Sequence, residues 1–309
     1  MVTTGPGAVP PEQRVATFDN DGTLWTEKPM PPQLHFILEK LRKAAVADPS
    51  LTDRQPYRAV ASGDLAWLGG AIEKHYAGDD SDLQVIIGAV VDLLAGKSVD
   101  DYAAEIAAFY ATERHPTLQC SYCDAVYEPM VELLRYLEAN GFTTYIVSGG
   151  GRDFMRPIST AYYGIPPERV VGSSAGLEYV DSDSGGDVRY APSFTILDDG
   201  PEKPVHIWSR IGRRPLVASG NANGDVPMLR FVQEHPHSLS LLIHHDDDTG
   251  RGDVAYDTGA EHALAAAAEL GFTMVSVKND WARVFPDANS VRANGGNDAK
   301  HHGSGPRLP

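Results

Sequence analysis

Short runs of β-branched and aromatic residues recur along the chain, and most of them stop at polar residues or glycine. Runs of this composition predict strands that lead into loops. The predicted strands lie at residues 14–18, 143–147, 170–171, 215–218, 239–243 and 273–277. Between them lie apolar residues at helical spacing, as at residues 127–138, where Met130, Leu134 and Leu137 share one face. Strands that alternate with helices indicate an α/β fold with a doubly wound, Rossmann-like parallel sheet.

One long region interrupts this alternation, because residues 33–123 contain almost no strand-like run. Its helical patterns cover residues 34–46, 64–76, 83–94 and 99–112. We therefore expect an α/β core at residues 1–32 and 124–290, with residues 33–123 inserted as a helical cap. Residues 183–186 are expected to turn a β-hairpin, and residues 291–309 are expected to form a disordered tail.

The composition limits the classes of partner. The 309 residues are 42% hydrophobic and 22% charged, the balance of a globular protein with a sizeable core. The formal net charge of −16 makes nucleic acids and anionic membrane surfaces unfavourable partners, although a local cation can still attract a small anionic ligand. No stretch reaches the ~18–20 apolar residues of a membrane span, and the N-terminus lacks the pattern of a secretory signal, so we expect a cytoplasmic protein. The sequence leaves its oligomeric state open.

Polar residues follow three of the predicted strands, at the ends where ligands bind in open α/β sheets. Asp19 and Asp21 follow the first strand, and Ser148 follows the second. Asn221 and Asp225 follow the fourth. We expect these clusters to converge on one crevice. Two carboxylates one residue apart suit divalent-cation binding, nucleophilic attack with paired proton transfer, or both. A lone Asp-x-Asp-Gly segment is equally compatible with an Asx turn that caps a helix.

Residues 18–23 (Phe-Asp-Asn-Asp-Gly-Thr) resemble the first motif, Asp-x-Asp-Gly-Thr, of the haloacid dehalogenase-like (HAD) superfamily. Three further segments resemble its later motifs in the same order: residues 146–150 (Ile-Val-Ser-Gly-Gly), Lys203, and residues 220–229 (Gly-Asn-Ala-Asn-Gly-Asp-Val-Pro-Met-Leu). The Ser-Gly-Gly segment and the helical insertion are most similar to the phosphoserine phosphatase-like branch. The resemblance covers most of residues 14–230 and implies a hydrolase with an inserted cap.

The resemblance also implies a role for each motif residue. Asp19 would be the nucleophile that attacks phosphorus, and Asp21 would protonate the leaving oxygen and later deprotonate water. Ser148 and Gly149 would hold phosphoryl oxygens, and Lys203 would supply a positive charge shared by Asp19 and the phosphoryl group. Mg²⁺ would offset the repulsion between carboxylate and phosphate, bound by Asp19, by the backbone carbonyl of Asp21 and by the loop of the fourth motif.

The fourth motif departs from this branch at Asn221, where its members usually carry a metal-binding aspartate. An amide oxygen can ligate Mg²⁺ but brings no charge. Either Asn221 therefore binds the metal weakly, or Asp225 takes over as ligand, directly or through water. We expect activity to require added Mg²⁺ at roughly millimolar concentration, the weak end for oxygen sites.

Several residues near the motifs carry a less specific signal. In the similar branch, a glutamate near the sequence position of Glu27 binds the substrate amine, but the spacing from the first motif differs by one residue here. The alternative is that Glu27 is a solvated glutamate. Arg152 is expected either to line the mouth of the site or to cap the next helix. Cys120 and Cys123 lack the second pair that a structural zinc site needs, so we expect reduced thiols. Residues 244–248 (His-His-Asp-Asp-Asp) are expected to form an exposed loop.

These features together predict a Mg²⁺-dependent phosphatase that acts on a small phosphorylated metabolite. Two alternatives from other classes stay open. A dehalogenase of the same superfamily uses the same nucleophile on carbon, but it has no need of Asp21 or of a metal. A receiver-type domain would accept phosphate on Asp19 without turnover, but it has no use for a long cap or for Ser148 and Lys203.

Overall fold

One sheet organises the chain. The computed structural model describes residues 4–5, 7–76, 78–182 and 185–286. Within these ranges the strands are β1 (Val15–Phe18), β2 (Thr143–Gly151), β3 (Val170–Ser182), β4 (Gly185–Ile196), β5 (Val217–Gly220), β6 (Leu239–His244) and β7 (Thr273–Ser276). They form a seven-stranded sheet in the order β4-β3-β2-β1-β5-β6-β7, and each neighbouring pair is parallel except β3 and β4. The predicted α/β class with a mostly parallel sheet is confirmed.

Helices cover both faces of this sheet, because alternate strand residues point to opposite sides. Along β2, Ile146 belongs to the apolar cluster on one face and Val147 to the cluster on the other. The helices that alternate with the later strands are α6 (Glu128–Ala139), α7 (Arg152–Tyr163), α8 (Glu202–Ile211), α9 (Val226–Val232), α10 (Glu261–Ala266) and α11 (Val277–Asp280). The sheet is therefore doubly wound, as the alternation of patterns predicted.

Of the six α-helices that the described residues form between β1 and β2, the first five fall where the helical insertion was predicted. They are α1 (Pro32–Ala47), α2 (Tyr57–Ser62), α3 (Leu65–Tyr76), α4 (Ser81–Leu94) and α5 (Val99–Thr112). Part of this segment buries its own apolar cluster, which includes Leu41, Tyr57 and Ile86, whereas Phe36 packs into the main cluster under the sheet. The exact bounds of a cap at residues 33–123 stay a prediction. No helix of the described ranges is long and apolar enough to cross a membrane.

The predicted strand at residues 170–171 and the first arm of the predicted hairpin are one continuous strand, β3. Small residues at 172–176 break the apolar pattern between them, so the sequence suggested two strands. They are needed for close packing: a Cβ atom at Gly172 would lie 2.7 Å from the carbonyl oxygen of Gly150 and 2.9 Å from Cε of Met155. The antiparallel pairing of β3 and β4 confirms the hairpin, but residues 183–184 of its turn and the tail at 291–309 lie outside the described residues.

Candidate active site

The site lies at the carboxyl end of β1, the central strand of the parallel part of the sheet. Asp19 follows β1 directly, and its backbone N–H donates to the carbonyl oxygen of Ser219 in β5 at 2.9 Å. β2 pairs with the other side of β1, which brings Ser148 to the same edge. The order β2-β1-β5 therefore brings the ends of all three strands together, as the sequence predicted.

Lys203, in the first turn of α8, joins these strand ends. Its Nζ donates to Oδ1 of Asp19 at 2.8 Å, to Oδ1 of Asp225 at 2.6 Å, and to the carbonyl oxygen of Val147 at 3.3 Å. The side chain is only 2% exposed. Burial alone would lower the pKa of Lys203, but the carboxylates of Asp19 and Asp225 raise it well above its usual value. The lysine is therefore a fixed cation between two carboxylates.

Asp19 is buried beside this ammonium. Burial and the nearby Asp225 raise the pKa of Asp19 well above its usual value, while Lys203 acts in the opposite direction. Oδ1 of Asp19 accepts the lysine hydrogen bond, and among the described residues Oδ2 receives none. One carboxylate oxygen is thus held in place and the other faces the crevice without a protein donor.

Asp21 lies beside Gly150, at the end of β2. The indole Nε1 of Trp25 donates to its Oδ1 at 2.7 Å. A Cβ atom at Gly150 would lie 3.3 Å from Oδ2 of Asp21 and equally far from Oγ of Ser148, so both oxygens border this glycine. Burial, followed by the negative charge of Glu27, raises the pKa of Asp21 to about 7. A carboxyl group of this pKa can both donate and accept a proton near neutral pH.

The glycine segment at the end of β2, residues 149–151, is held by β3. Oγ of Ser148 accepts a hydrogen bond from the backbone N–H of Gly150 at 3.1 Å. The carbonyl oxygen of Gly149 accepts one from Oγ of Ser173 at 2.8 Å. A Cβ atom at Gly149 would lie 3.6 Å from the carboxylate of Asp199, an ordinary packing distance, so Asp199 borders this glycine.

Asp199 is a residue at the site that the sequence analysis missed. Its carboxylate also fills the space that a Cβ atom at Gly224 would occupy, so it lies between the loops of the second and fourth motifs. Oδ2 of Asp199 is 3.6 Å from Nε2 of His75 in α3, which links the helical insertion to the site. Its place four residues before Lys203 is the signal that could have identified it.

The fourth-motif loop brings both candidate metal ligands to the site. Oδ2 of Asp225 accepts hydrogen bonds from the backbone N–H groups of Asn221 and Ala222, both at 2.9 Å, and its Oδ1 accepts one from Lys203. Oδ1 of Asn221 accepts a hydrogen bond from Oγ1 of Thr23 at 3.0 Å. Within the described residues each Oδ1 thus accepts one hydrogen bond and keeps a second lone pair. Asp225 anchors the loop, and which of the two residues binds a metal directly stays a prediction.

Glu27 is partly buried and hydrogen-bonded within the wall of the site, which gives no support to the alternative of a solvated glutamate. The hydroxyl of Tyr256 donates to its Oε1 at 2.6 Å, and Nδ2 of Asn221 lies 3.5 Å from the same atom. Nζ of Lys28 lies 3.7 Å from it as well. Glu27 therefore lies beside the fourth-motif loop, and its own oxygen is already engaged by the protein.

Arg152 is paired within α7 instead of reaching the strand ends. Its Nε and Nη2 each lie 2.9 Å from a different oxygen of Asp153, a bidentate pair. Its predicted place at the substrate gains no support from this contact and stays a prediction. Cys120 and Cys123 are free and partly buried, as predicted.

The prediction of an exposed loop at residues 244–248 is wrong. His245 is only 2% exposed, and its ring stacks on Tyr256 with centroids 4.7 Å apart. Nε2 of His245 lies 2.7 Å from the carbonyl oxygen of Gly22, and Nδ1 lies 2.7 Å from Oδ2 of Asp253. A polar run can be buried when its groups find partners, which no local pattern reveals. His245 thus holds the first-motif loop in place through its hydrogen bond to the carbonyl oxygen of Gly22.

The donor set of the site suits a divalent cation. The carboxyl groups of Asp19 and Asp225 share the ammonium of Lys203, and the carboxyl group of Asp21 lies nearby. All the available donors are oxygens, which suit Mg²⁺. Within the described ranges no three His, Cys, Asp or Glu side chains converge as metal ligands. A cation here would need the backbone carbonyl of Asp21 and the amide of Asn221, and the residues present fit it on those terms.

The comparisons with known proteins agree with this fold. The family model described as haloacid dehalogenase-like hydrolase matches residues 16–230. A solved protein of unknown function from Bordetella pertussis Tohama I is 16% identical, with TM-score 0.56, over 85% of this chain and 98% of its own. A functionally unknown protein from Anaerococcus prevotii is 18% identical, with TM-score 0.52, over 88% and 87%. At these identities the solved structures support the fold alone. No curated protein matches the sequence significantly.

Proposed function

Because the chain belongs to the haloacid dehalogenase-like hydrolase family, we propose that it is a Mg²⁺-dependent phosphatase of small phosphomonoesters. The observation that supports this most is the pair of aspartates at the end of β1 and their different partners. Lys203 donates to Oδ1 of Asp19 and stabilises its negative charge, whereas Asp21 has no contact with the lysine and accepts from the indole of Trp25. Burial and Glu27 raise the pKa of Asp21 to about 7, so this carboxyl group can donate a proton near neutral pH. A nucleophile held by a cation beside a carboxyl group that can exchange a proton is the arrangement that ester cleavage through a covalent intermediate requires.

In the first step, the oxygen of Asp19 that Lys203 does not hold attacks phosphorus. The P–O bond to the alcohol breaks, and Asp21 gives its proton to the leaving oxygen. Ser148 and Gly149 hold phosphoryl oxygens, while Lys203 keeps the other oxygen of Asp19 in place. The products of this step are the free alcohol and an acyl phosphate, in which the phosphoryl group is bound to the carboxylate oxygen of Asp19.

In the second step, Asp21 is a carboxylate and accepts a proton from water. The water oxygen attacks phosphorus, the bond to Asp19 breaks, and inorganic phosphate leaves with Asp21 protonated again. One carboxyl group can serve both steps because its pKa of about 7 lies close to neutral pH.

When bound, Mg²⁺ would neutralise part of the negative charge shared by the nucleophile and the phosphoryl oxygens. Asp19, the backbone carbonyl of Asp21 and the side chain of Asn221 are the groups that would hold it. Asp225 would keep the loop of Asn221 in place through its two backbone hydrogen bonds.

The test measures phosphate release from p-nitrophenyl phosphate and a panel of small phosphomonoesters with added Mg²⁺. We expect Asp19→Asn to lower kcat by on the order of 10⁴-fold, since removing a nucleophile has effects of this size, with an unchanged circular dichroism spectrum. Asp92→Asn, an exposed aspartate in α4, is the matched control and should keep the parent rate. Parent activity in Asp19→Asn would show that this nucleophile is assigned wrongly.

The same protein distinguishes the two alternatives. Halide release from a 2-haloacid, without phosphate release from any ester, would identify a dehalogenase. Incorporation of one phosphoryl group per chain without turnover would identify a receiver-type domain.

A further inference from the structure

Gln33, in the first turn of α1, brings the helical insertion into direct contact with the glycine segment. The backbone N–H of Gly151 donates to its Oε1 at 2.6 Å. This hydrogen bond sets the orientation of the carboxamide, because a backbone N–H can only donate and must face the oxygen end. Nε2 is therefore the other end, and among the described residues it has no hydrogen-bond acceptor.

The chain makes room for this carboxamide. A Cβ atom at Gly151 would lie 2.5 Å from Nε2 of Gln33, closer than side chains pack. A glycine at this position thus lets the amide lie flat against the segment. The contact is formed by α1 on one side and by the end of β2 on the other.

The oxygen end of the same carboxamide lies close to Asp21, the group assigned to protonate the leaving oxygen. A Cβ atom at Gly150 would lie 3.3 Å from each of three oxygens: Oε1 of Gln33, Oδ2 of Asp21 and Oγ of Ser148. In the proposed function, Asp21 gives its proton to the leaving oxygen. The alcohol part of the substrate must therefore lie next to Gln33.

We propose that Gln33 selects the leaving group, with Nε2 donating to an oxygen on the carbon next to the ester carbon. The substrates would then be small phosphomonoesters that carry a carbonyl, hydroxyl or carboxylate oxygen at this position. The inference rests on the proposed phosphatase function, because the position of the leaving group is deduced from the role of Asp21.

The test compares acetol phosphate with propyl phosphate, which differ by one carbonyl oxygen on the carbon next to the ester carbon. We expect the parent protein to have a kcat/KM about tenfold higher for acetol phosphate, the discrimination that one hydrogen bond provides. Gln33→Glu keeps an oxygen for the N–H of Gly151 but removes the donor, so the ratio of the two kcat/KM values should fall to about one or below.

Gln33→Met is the second variant, because it removes both the acceptor and the donor at similar length. If Gln33 only holds the glycine segment, Gln33→Glu will keep the parent ratio and Gln33→Met will slow both substrates equally; that result overturns the inference. Equal kcat/KM for both substrates in the parent protein overturns it too and leaves the phosphatase proposal standing. A parent protein that hydrolyses p-nitrophenyl phosphate but neither of these two esters overturns the inference alone, whereas no phosphate release from any ester of the panel refutes the phosphatase proposal itself.

Discussion

Replacement of Lys203 by methionine tests whether the site is an electrostatic balance of one cation and two carboxylates. Methionine has nearly the length of lysine and no charge, so the change removes the ammonium with little change in shape. It leaves Asp19, Asp225 and the carbonyl oxygen of Val147 without the donor they share. The charges would stay largely buried, since the side chains of Lys203 and Asp19 are 2% and 9% exposed.

The expected loss of stability is large because the charges left behind stay buried. Removing one partner from a buried ion pair costs about 3–5 kcal/mol in the free energy of unfolding. Protonation of Asp19 offsets part of this cost, as its folded-state pKa already lies above the usual value and rises further without Lys203. A raised carboxyl pKa stabilises the protonated folded state at low pH, and this benefit is lost as the pH rises through the folded-state pKa. The variant should therefore be least stable at alkaline pH.

The assay is urea unfolding followed by circular dichroism in EDTA, on Lys203→Met, Asp225→Asn and the double variant. Asp225→Asn keeps an oxygen for the backbone N–H groups of the fourth-motif loop and removes one of the stranded charges. We expect the double variant to be more stable than the sum of the single effects by about 1–3 kcal/mol, the usual coupling of residues in one network. A loss below about 1 kcal/mol in Lys203→Met, or strictly additive effects, would refute the electrostatic account.

Two further substitutions test other charged groups of the structure. Although burial acts against it, Arg152 and Arg156 lower the pKa of Asp153; Asp153→Asn should therefore cost about 2–4 kcal/mol at neutral pH. This cost should shrink below about pH 4, the unfolded-state pKa, as the pH falls through the folded-state pKa. The measurement is chemical unfolding of both proteins across this pH range. A difference in the free energy of unfolding that stays constant with pH would contradict the prediction. Asn221→Asp puts a second carboxylate beside Glu27, since Nδ2 of Asn221 lies 3.5 Å from Oε1 of that residue. The variant should melt at a lower temperature than the parent in EDTA and gain more from Mg²⁺, and equal melting shifts on adding Mg²⁺ would argue against Asn221 as a ligand.

The sequence alone determined the sheet and the position of the main polar residues on it. A buried parallel strand needs a run of apolar residues, and the polar residues that end such a run must lie at the carboxyl edge of the sheet. Asp19, Ser148 and Asn221 could be placed in one crevice for this reason. The helices between β1 and β2 could be predicted because helical periodicity is also a local property.

Contacts between distant segments were decided only by the tertiary structure. Gln33 looked like an ordinary residue at the start of a helix, and His245 looked like part of an exposed polar run. Their roles come from hydrogen bonds to Gly151 and Gly22, which lie 118 and 223 residues away in the chain. A hydrogen bond of this kind depends on where the packed sheet and helices bring two backbones together, and no periodicity along one segment encodes that distance.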